Sequence, residues 1–297
     1  MAQWQAGWVA DRLSECGVAV ELRPITTTGD REQLGPIESL GTQGAFTKEI
    51  QRALLEGAID LAVHSLKDLP TEPVEGLCLA AVPERAEVAD VLVCRSAAGL
   101  AALPAGAVVG TGSLRRRAQL LWVRGDLAVR DIRGNVDTRL DKVARGDYEA
   151  ILLARAGLVR LGLESRITET LPFEVMLPAV GQGALGVETR GDDYRTRAAL
   201  AAIDHFPSHA AVLAERAMLA ALRGGCLAPV AALGRVEGDR LSLTGRVLGP
   251  EGGERIEFAA ADAAEAGIDL GCHVAAALIE RGAARMIEAA RRPTPRD

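Results

Sequence analysis

Two short stretches hold the residues best suited to chemistry in this 297-residue chain. They are Thr111-Gly112-Ser113-Leu114-Arg115-Arg116-Arg117 and Arg133-Gly134-Asn135-Val136-Asp137-Thr138-Arg139. Each follows a hydrophobic run (Ala107 to Val109, then Ala128 to Ile132) and opens a helical pattern. The start of a helix offers unpaired N–H groups and the positive end of the dipole, so it favours anions. Guanidinium forks there add bidentate donors suited to carboxylate or phosphate. A single cluster of this kind reads equally well as a solvated basic helix face. Two in the same setting point to a site that grips a polyanion.

The whole chain is nevertheless acidic, with a formal net charge of −6. A duplex-binding surface needs a broad basic field to neutralise phosphates. Aromatic residues make up 3% of the chain, too few for the stacking platforms that hold single strands. The expected polyanion is therefore a small molecule in a cleft. Cys16, Cys78, Cys94, Cys226 and Cys272 are odd in number and scattered, with no C-x-x-C pair or His/Cys spacing that suggests zinc. No disulfide framework is expected, which favours a reducing compartment. No apolar run is long enough for a membrane span, and the start lacks a signal-peptide layout.

The elements that must position these residues follow a repeating grammar. Trp4 to Ser14 reads as a helix and Val18 to Ile25 as a strand, and Thr26 to Gly44 as a polar loop. Phe46 to Glu56 is helical, Gly57 closes it, and Ile59 to His64 is a short buried strand. The order recurs with helix Val136 to Ala144, Gly146 and strand Ala150 to Ala154. Two α/β lobes with largely parallel sheets are expected, with ligands beyond the carboxyl ends of the strands. Asp68 and both arginine clusters fall at such ends. Leu177-Pro178-Ala179-Val180-Gly181-Gln182-Gly183 reads as a hinge or crossover. From Phe206 the texture changes to an Ala-rich helix (Ala210 to Arg223), then alternating strands (Val230 to Val236, Arg240 to Leu248, Arg255 to Ala259) and a final helical stretch. A smaller α+β domain is expected there, ending in a disordered tail from Arg291 to Asp297.

Cys226 sits in Arg223-Gly224-Gly225-Cys226-Leu227-Ala228-Pro229, just after the Ala-rich helix. Two glycines leave its sulfur unshielded, but by itself a structural cysteine is the simpler reading. Asp68 beside Lys67 reads equally well as a surface ion pair. The combination is more specific. His64-Ser65-Leu66-Lys67-Asp68, Gly110-Thr111-Gly112-Ser113-Leu114-Arg115-Arg116, Arg133-Gly134-Asn135-Val136, Ala179-Val180-Gly181-Gln182-Gly183-Ala184 and Gly224-Gly225-Cys226 occur in that order. From Ala2 to the last helix the chain closely resembles the porphobilinogen deaminase (hydroxymethylbilane synthase) family of tetrapyrrole biosynthesis.

The resemblance implies an α/β fold with two lobes of the type II periplasmic-binding-protein kind and a small α+β C-terminal domain. Residues 1–83 with 184–201 would form the first lobe, 89–177 the second, and 206–297 the third domain. It implies a dipyrromethane cofactor joined to Cys226 through a thioether. Four porphobilinogen units would be added in turn to its free end, each losing ammonia, before linear hydroxymethylbilane is released. Loss of ammonia leaves an electron-poor azafulvene, and a carboxylate can hold pyrrole N–H groups and stabilise the cation, the role implied for Asp68. Every pyrrole carries an acetate and a propionate, which explains the arginines. Arg115, Arg116 and Arg133 would bind the cofactor, with Lys67, Thr111 and Ser113 as supporting donors. Arg139, Arg160 and Gln5 would contact substrate. No metal, membrane or nucleic-acid partner is implied, and the enzyme would be a cytoplasmic monomer.

The chain departs from the family pattern in three places. The family opens with an Arg-Ile-x-Thr-Arg-x-Ser-x-Leu-Ala pattern, and Met1 stands where its leucine would be. The first strand and an arginine-bearing turn are therefore expected upstream of this start, and an upstream extension would be the more stable and active form. Gly112 replaces a common serine, and Gln43 stands where lysine is usual. A binding protein without catalysis is the rival reading, because the same lobes occur in solute receptors and transcriptional regulators. A covalent adduct on the intact chain discriminates between them. Nucleic-acid binding through the arginines is a third, more distant reading.

Overall fold

The computed structural model describes residues 1–25, 47–225 and 228–291. The expected loop from Thr26 to Gly44 with Gln43, the cysteine Cys226 and the tail beyond Arg291 lie outside the described residues. The chain begins with helices α1 (Ala2–Glu15) and α2 (Lys48–Leu55) and strands β1 (Leu61–Ser65) and β2 (Leu77–Ala81). A second run holds β3 (Asp90–Cys94), β4 (Val108–Gly110), α3 (Leu114–Val123), β5 (Ala128–Arg130), α4 (Val136–Ala144), β6 (Ala150–Ala154), α5 (Arg155–Arg160) and β7 (Glu169–Thr170). Then come β8 (Leu185–Arg190), α6 (Tyr194–Leu200) and α7 (Phe206–Ala221). Strands β9 (Val230–Glu237), β10 (Arg240–Leu248) and β11 (Arg255–Ala263) and helices α8 (Gly267–Glu280) and α9 (Ala283–Arg291) complete it.

Three sheets organise these elements. The first has the order β1-β8-β2, and Val9 and Leu13 of α1 pack on Ala81, Leu185 and Val187 beneath it. The second has the order β5-β4-β6-β3-β7. Apart from Asp90 at the head of β3, its central strands carry no charged residue, because both faces are covered. Successive residues alternate, so Leu92 and Leu152 join Val109 and Leu120 on one face, while Val91 and Ile151 join Ile132, Leu140 and Leu158 on the other. The third sheet, β11-β10-β9, buries Leu241, Leu243 and Val247 against Met218 of α7 and Val274 and Leu278 of α8.

Two local expectations change. Among the described residues parallel pairing is confined to β4 with β5 and β6, while β3 and β8 run antiparallel to their neighbours. These are the strands by which the chain crosses from the first sheet to the second and back. A strand arriving from the opposite sheet runs against those already there. Residues 18–25 have strand-like composition but form no ladder among the described residues, although Val18 and Val20 still pack on the first sheet's core. A sequence period marks which side chains are buried, whereas a ladder also needs a partner strand.

The crossover is held by buried charge. Glu215 of α7 is 0% exposed and receives a bidentate pair from Arg85, at 2.7 and 3.0 Å. It also accepts the backbone N–H groups of Gly181 at 2.7 Å and Gly234 at 2.8 Å. Arg85 Nε donates to the Gln182 carbonyl at 2.8 Å. One carboxylate thereby joins the connection between the first two sheets to the first strand of the third. Gly183 belongs to the same junction. Its φ is +83°, and a Cβ there would lie 2.6 Å from the Ala86 carbonyl oxygen, so no other residue fits without moving backbone. Breaking one side of a buried ion pair leaves an uncompensated charge, at a cost of about 3–5 kcal/mol. Glu215→Gln should therefore lower the unfolding free energy by about 3 kcal/mol in urea titrations. A loss below about 1 kcal/mol would contradict the anchoring role.

Candidate active site

The site is built where β1, β4 and β5 end. Strand β1 runs into a single 3-10 turn, Leu66–Asp68, which presents Lys67 and Asp68 to solvent. The turn is braced from two sides. Gln5 of α1 donates to Ser65 Oγ at 2.7 Å, and Arg216 of α7 donates to the carbonyls of Leu69 and Pro70 at 2.9 and 2.7 Å. Gln5 is buried, so the structure places its amide behind the turn as a brace.

Both arginine clusters open helices. Ser113 caps α3 by accepting from the Arg116 N–H at 3.4 Å, and Thr111 Oγ1 accepts from the Ser113 N–H at 3.2 Å. Asn135 caps α4, accepting from the Thr138 N–H at 2.9 Å. The loop before α4 is tied at three carbonyls. Tyr148 donates to Asp131 at 2.6 Å, Lys142 to Arg133 at 3.1 Å, and Arg139 Nε to Gly134 at 2.8 Å. Arg133 thus rides on a fixed loop.

Arg115 and Arg116 are more deeply placed than a ligand-facing pair need be. Both are buried, and both reach the same carboxylate. Arg115 Nη1 donates to Asp90 Oδ2 at 2.7 Å and to the Leu177 carbonyl at 2.7 Å. Arg116 donates to Asp90 Oδ1 from Nε at 3.0 Å and from Nη2 at 2.7 Å, and to the Leu152 carbonyl at 3.1 Å. Gln182 of the crossover adds a donor to Asp90 Oδ1 at 2.9 Å. Burial alone would raise the Asp90 pKa, but the two guanidiniums more than offset it and hold it at about 2. Arg115 Nε is a buried donor without a partner among the described residues. The third arginine, Arg117, turns away to the Val129 carbonyl and Glu251.

Charge influence links several of these groups. Lys67 keeps contact with solvent, yet the protein crowded around it lowers its pKa. Asp68 and Asp90 oppose that shift, and Arg116 and Arg115 add to it. The Arg139 pKa is lowered by partial burial and then by Arg116 and Arg133. Lys67, Asp68, Arg115, Arg116, Arg133 and Arg139 therefore share one electrostatic neighbourhood. Arg160 stands at its side. Its Nη2 donates to the Gly183 carbonyl at 2.8 Å, its guanidinium lies 5.7 Å from the Trp4 ring centroid, and burial lowers its pKa.

Cys226 lies outside the described residues, but the residue before it does not. Gly225, with φ +63°, lines a small pocket together with Leu66, Lys67, Pro70, Arg216 and Leu219. Gly224 and Gly225 thus follow α7 beside the turn that carries Asp68. Among the described residues no group of three or more His, Cys, Asp or Glu is arranged to hold a metal ion. Sequence reasoning did not single out Asp90, Arg85 or Glu215, and it took Gln182 only as part of a crossover. The available signal was an acidic residue heading an apolar strand, Asp90-Val91-Leu92-Val93, and another inside the Ala-rich helix.

Residues 1–198 match the family described as porphobilinogen deaminase, dipyromethane cofactor binding domain, and residues 209–280 match its C-terminal domain. A porphobilinogen deaminase of Pelotomaculum thermopropionicum is 47% identical over 300 residues, spanning 100% of this chain and 96% of that protein. Solved structures with lower similarity include the periplasmic VFT2 domain of Bordetella pertussis BvgS (15% identity, 67% of this chain, 76% of that one, TM-score 0.39). Another is an ancestral arginine-binding protein bound to arginine (16% identity, 67% and 80%, TM-score 0.36).

Asp90 makes the site's stability acid-sensitive in a defined window. Its folded pKa of about 2 lies below its ordinary value of 3.8, so its contribution is complete above about pH 4 and fades as pH falls toward 2. The difference corresponds to about 2 kcal/mol. Urea unfolding of the natural chain and of Asp90→Asn, compared from pH 5 to pH 2, should show their gap shrinking by most of that amount. A gap independent of pH would show that Asp90 does not carry this charge.

Proposed function

The chain belongs to the porphobilinogen deaminase family, and from that membership we infer that its cleft polymerises porphobilinogen head to tail into linear hydroxymethylbilane with release of ammonia. The observation that carries the site reading is the meeting of Lys67, Arg116, Arg133 and Arg139 beside Asp68, with Gly225 on the same wall. The growing product gains carboxylates with every unit, so a surplus of fixed cations in a cleft is what it requires.

The residues present suit a dipyrromethane. Its pyrroles carry carboxylates that need charged donors, and Lys67, Arg116 and Arg133 supply them. We assign Cys226, which follows Gly224 and Gly225 in the sequence, as the attachment point. When bound, the cofactor supplies the nucleophilic pyrrole end on which the chain grows. Asp68 has the complementary task. Its carboxylate receives pyrrole N–H groups and offsets the positive charge that develops when ammonia leaves. Arg139 and Arg160 hold substrate carboxylates, and Ser113 and Thr111 keep the start of α3 in place as donors to the cofactor side. Gln5 acts on substrate through Ser65 and the turn that bears Asp68, and Arg115 serves the cofactor side together with Arg116, both held by Asp90.

In this reading residues 1–83 and 184–201 form the first lobe, 89–177 the second and 206–297 the cysteine-bearing domain. The enzyme works as a cytoplasmic monomer on a small-molecule substrate without nucleic acid. No helix among the described residues is long and apolar enough to cross a membrane.

Intact mass tests the attachment. The natural chain should carry a dipyrromethane adduct, and Cys226→Ser should have the unmodified mass and no turnover. An adduct on Cys16, Cys78, Cys94 or Cys272 would sink the assignment. Asp68→Asn keeps the shape and removes the charge. It should fold and load the cofactor normally yet lose about two to three orders of magnitude in turnover, the usual scale for one electrostatic group. Near-normal turnover would reduce Asp68 to a surface carboxylate.

A further inference from the structure

Asp90 touches neither the solvent nor the expected substrate, yet the cationic floor of the cleft is arranged around it. Consecutive helical residues point about 100° apart, so Arg115 and Arg116 have no intrinsic reason to address one place. They also sit in the first turn of their helix, where the dipole disfavours cations. Asp90 overcomes both. It is the first residue of its strand, paired with Ala154 at the carboxyl end of the neighbouring strand, and so lies where that sheet meets the cleft. One oxygen takes Arg115 and the other takes Arg116, at 2.7 Å each.

The carboxylate is itself fixed. Gln182 donates to its Oδ1 at 2.9 Å and to the Val88 carbonyl at 2.8 Å, and the Gln182 carbonyl accepts from Arg85, which is locked on Glu215. An unbroken buried chain therefore runs from Arg116 through Asp90, Gln182 and Arg85 to Glu215, on the helix that leads to Gly225. One carboxylate against two guanidiniums leaves a positive excess, and Lys67 and Arg139 feel Arg116 directly.

We propose that Asp90 is a positioning residue for the polymerisation reaction. It aims Arg115 and Arg116 as one rigid anion receptor and, through Gln182, keeps that receptor in register with the domain that bears the cofactor cysteine. The proposal rests on the reading that these arginines serve an anionic cofactor and its growing chain. Pre-aimed donors matter because a misplacement of about 1 Å can cost about 100-fold in rate or binding.

Two variants of the full-length chain separate aim from folding. Asp90→Asn keeps the shape and removes the charge, and Asp90→Glu keeps the charge and shifts the oxygens by one methylene. Each is measured for intact mass, thermal midpoint, KM and kcat. In Asp90→Asn the fraction of chains carrying the adduct should fall about tenfold. In Asp90→Glu, which keeps the ion pair and so the fold, the loaded enzyme should show KM raised about tenfold with kcat within about twofold. Should Asp90→Asn fail to fold, Asp90→Glu and Gln182→Met carry the test, since both retain the ion pair, and Gln182→Met should raise KM in the same way. Full loading and natural KM in the folded variants, with only the thermal midpoint lowered, would overturn the proposal. Absence of any adduct from the natural chain would instead defeat the functional reading, and this proposal with it.

Discussion

A carboxylate with no access to water, shared by two arginines, is the constraint on which the rest of this structure turns. Asp90 could not be buried as an anion without Arg115 and Arg116, and neither arginine could sit at a buried helix start without Asp90. The three are mutually required, and they fix where α3 begins relative to β3. Gln182 brings the crossover into the same arrangement, and Arg85 and Glu215 extend it into the third domain. At its junctions the fold combines directed, charge-assisted contacts with small apolar clusters, such as Leu177 with Ala231 and Leu233, while the larger apolar cores lie against the individual sheets.

This division of labour suits an enzyme whose product lengthens in place. Apolar packing is non-directional, so even where it crosses a junction, as at Leu66 and Val212, it specifies the relation between lobes only loosely. Hydrogen-bonded ion pairs have a fixed geometry and do specify it. Glu215 contacts the crossover and β9, and Gln119 of α3 links the start of the crossover to β10. Gln119 exchanges hydrogen bonds with Leu177 at 3.0 and 2.9 Å and accepts from Arg246 at 2.7 Å. The single helix α7 carries Glu215, Arg216 and, after its end, Gly225. The brace on the Asp68 turn and the lead into the cysteine loop thus share one rigid body.

Charge is organised locally against the net balance. The chain is acidic overall, yet the cleft collects Lys67, Arg116, Arg133 and Arg139. Many of the chain's other arginines are paired with carboxylates at the surface, as in Arg12–Glu15, Arg124–Asp126 and Arg285–Glu254. Such exposed pairs contribute little stability, typically about 0.2–1 kcal/mol. Their effect is to cancel charge elsewhere on the surface, whereas Asp90 offsets only one of the two guanidiniums it holds, which leaves a local positive excess.

Much of the site could be read from the amino-acid order alone, because its signals are local. Capping of α3 by Ser113 and of α4 by Asn135 involves partners three residues apart, so the placement of both arginine clusters at helix starts follows from neighbouring residues. The extents of α4 and β6 were legible for the same reason, as was the antiparallel third sheet from its alternating strands. The family, and with it the reaction, was carried by contiguous motifs. What the order of residues could not decide depends on contacts between distant positions. Asp90 meets Arg115 across 25 residues and Arg85 meets Glu215 across 130. The turning of Gln5 onto Ser65, the antiparallel return of β3 and β8, and the absence of a ladder for residues 18–25 among the described residues are likewise decided by which elements arrive beside one another. Local order determined where the charged residues stand. Only tertiary structure decided which face the cleft and which hold it in shape, because burial and long-range pairing are properties of the folded chain.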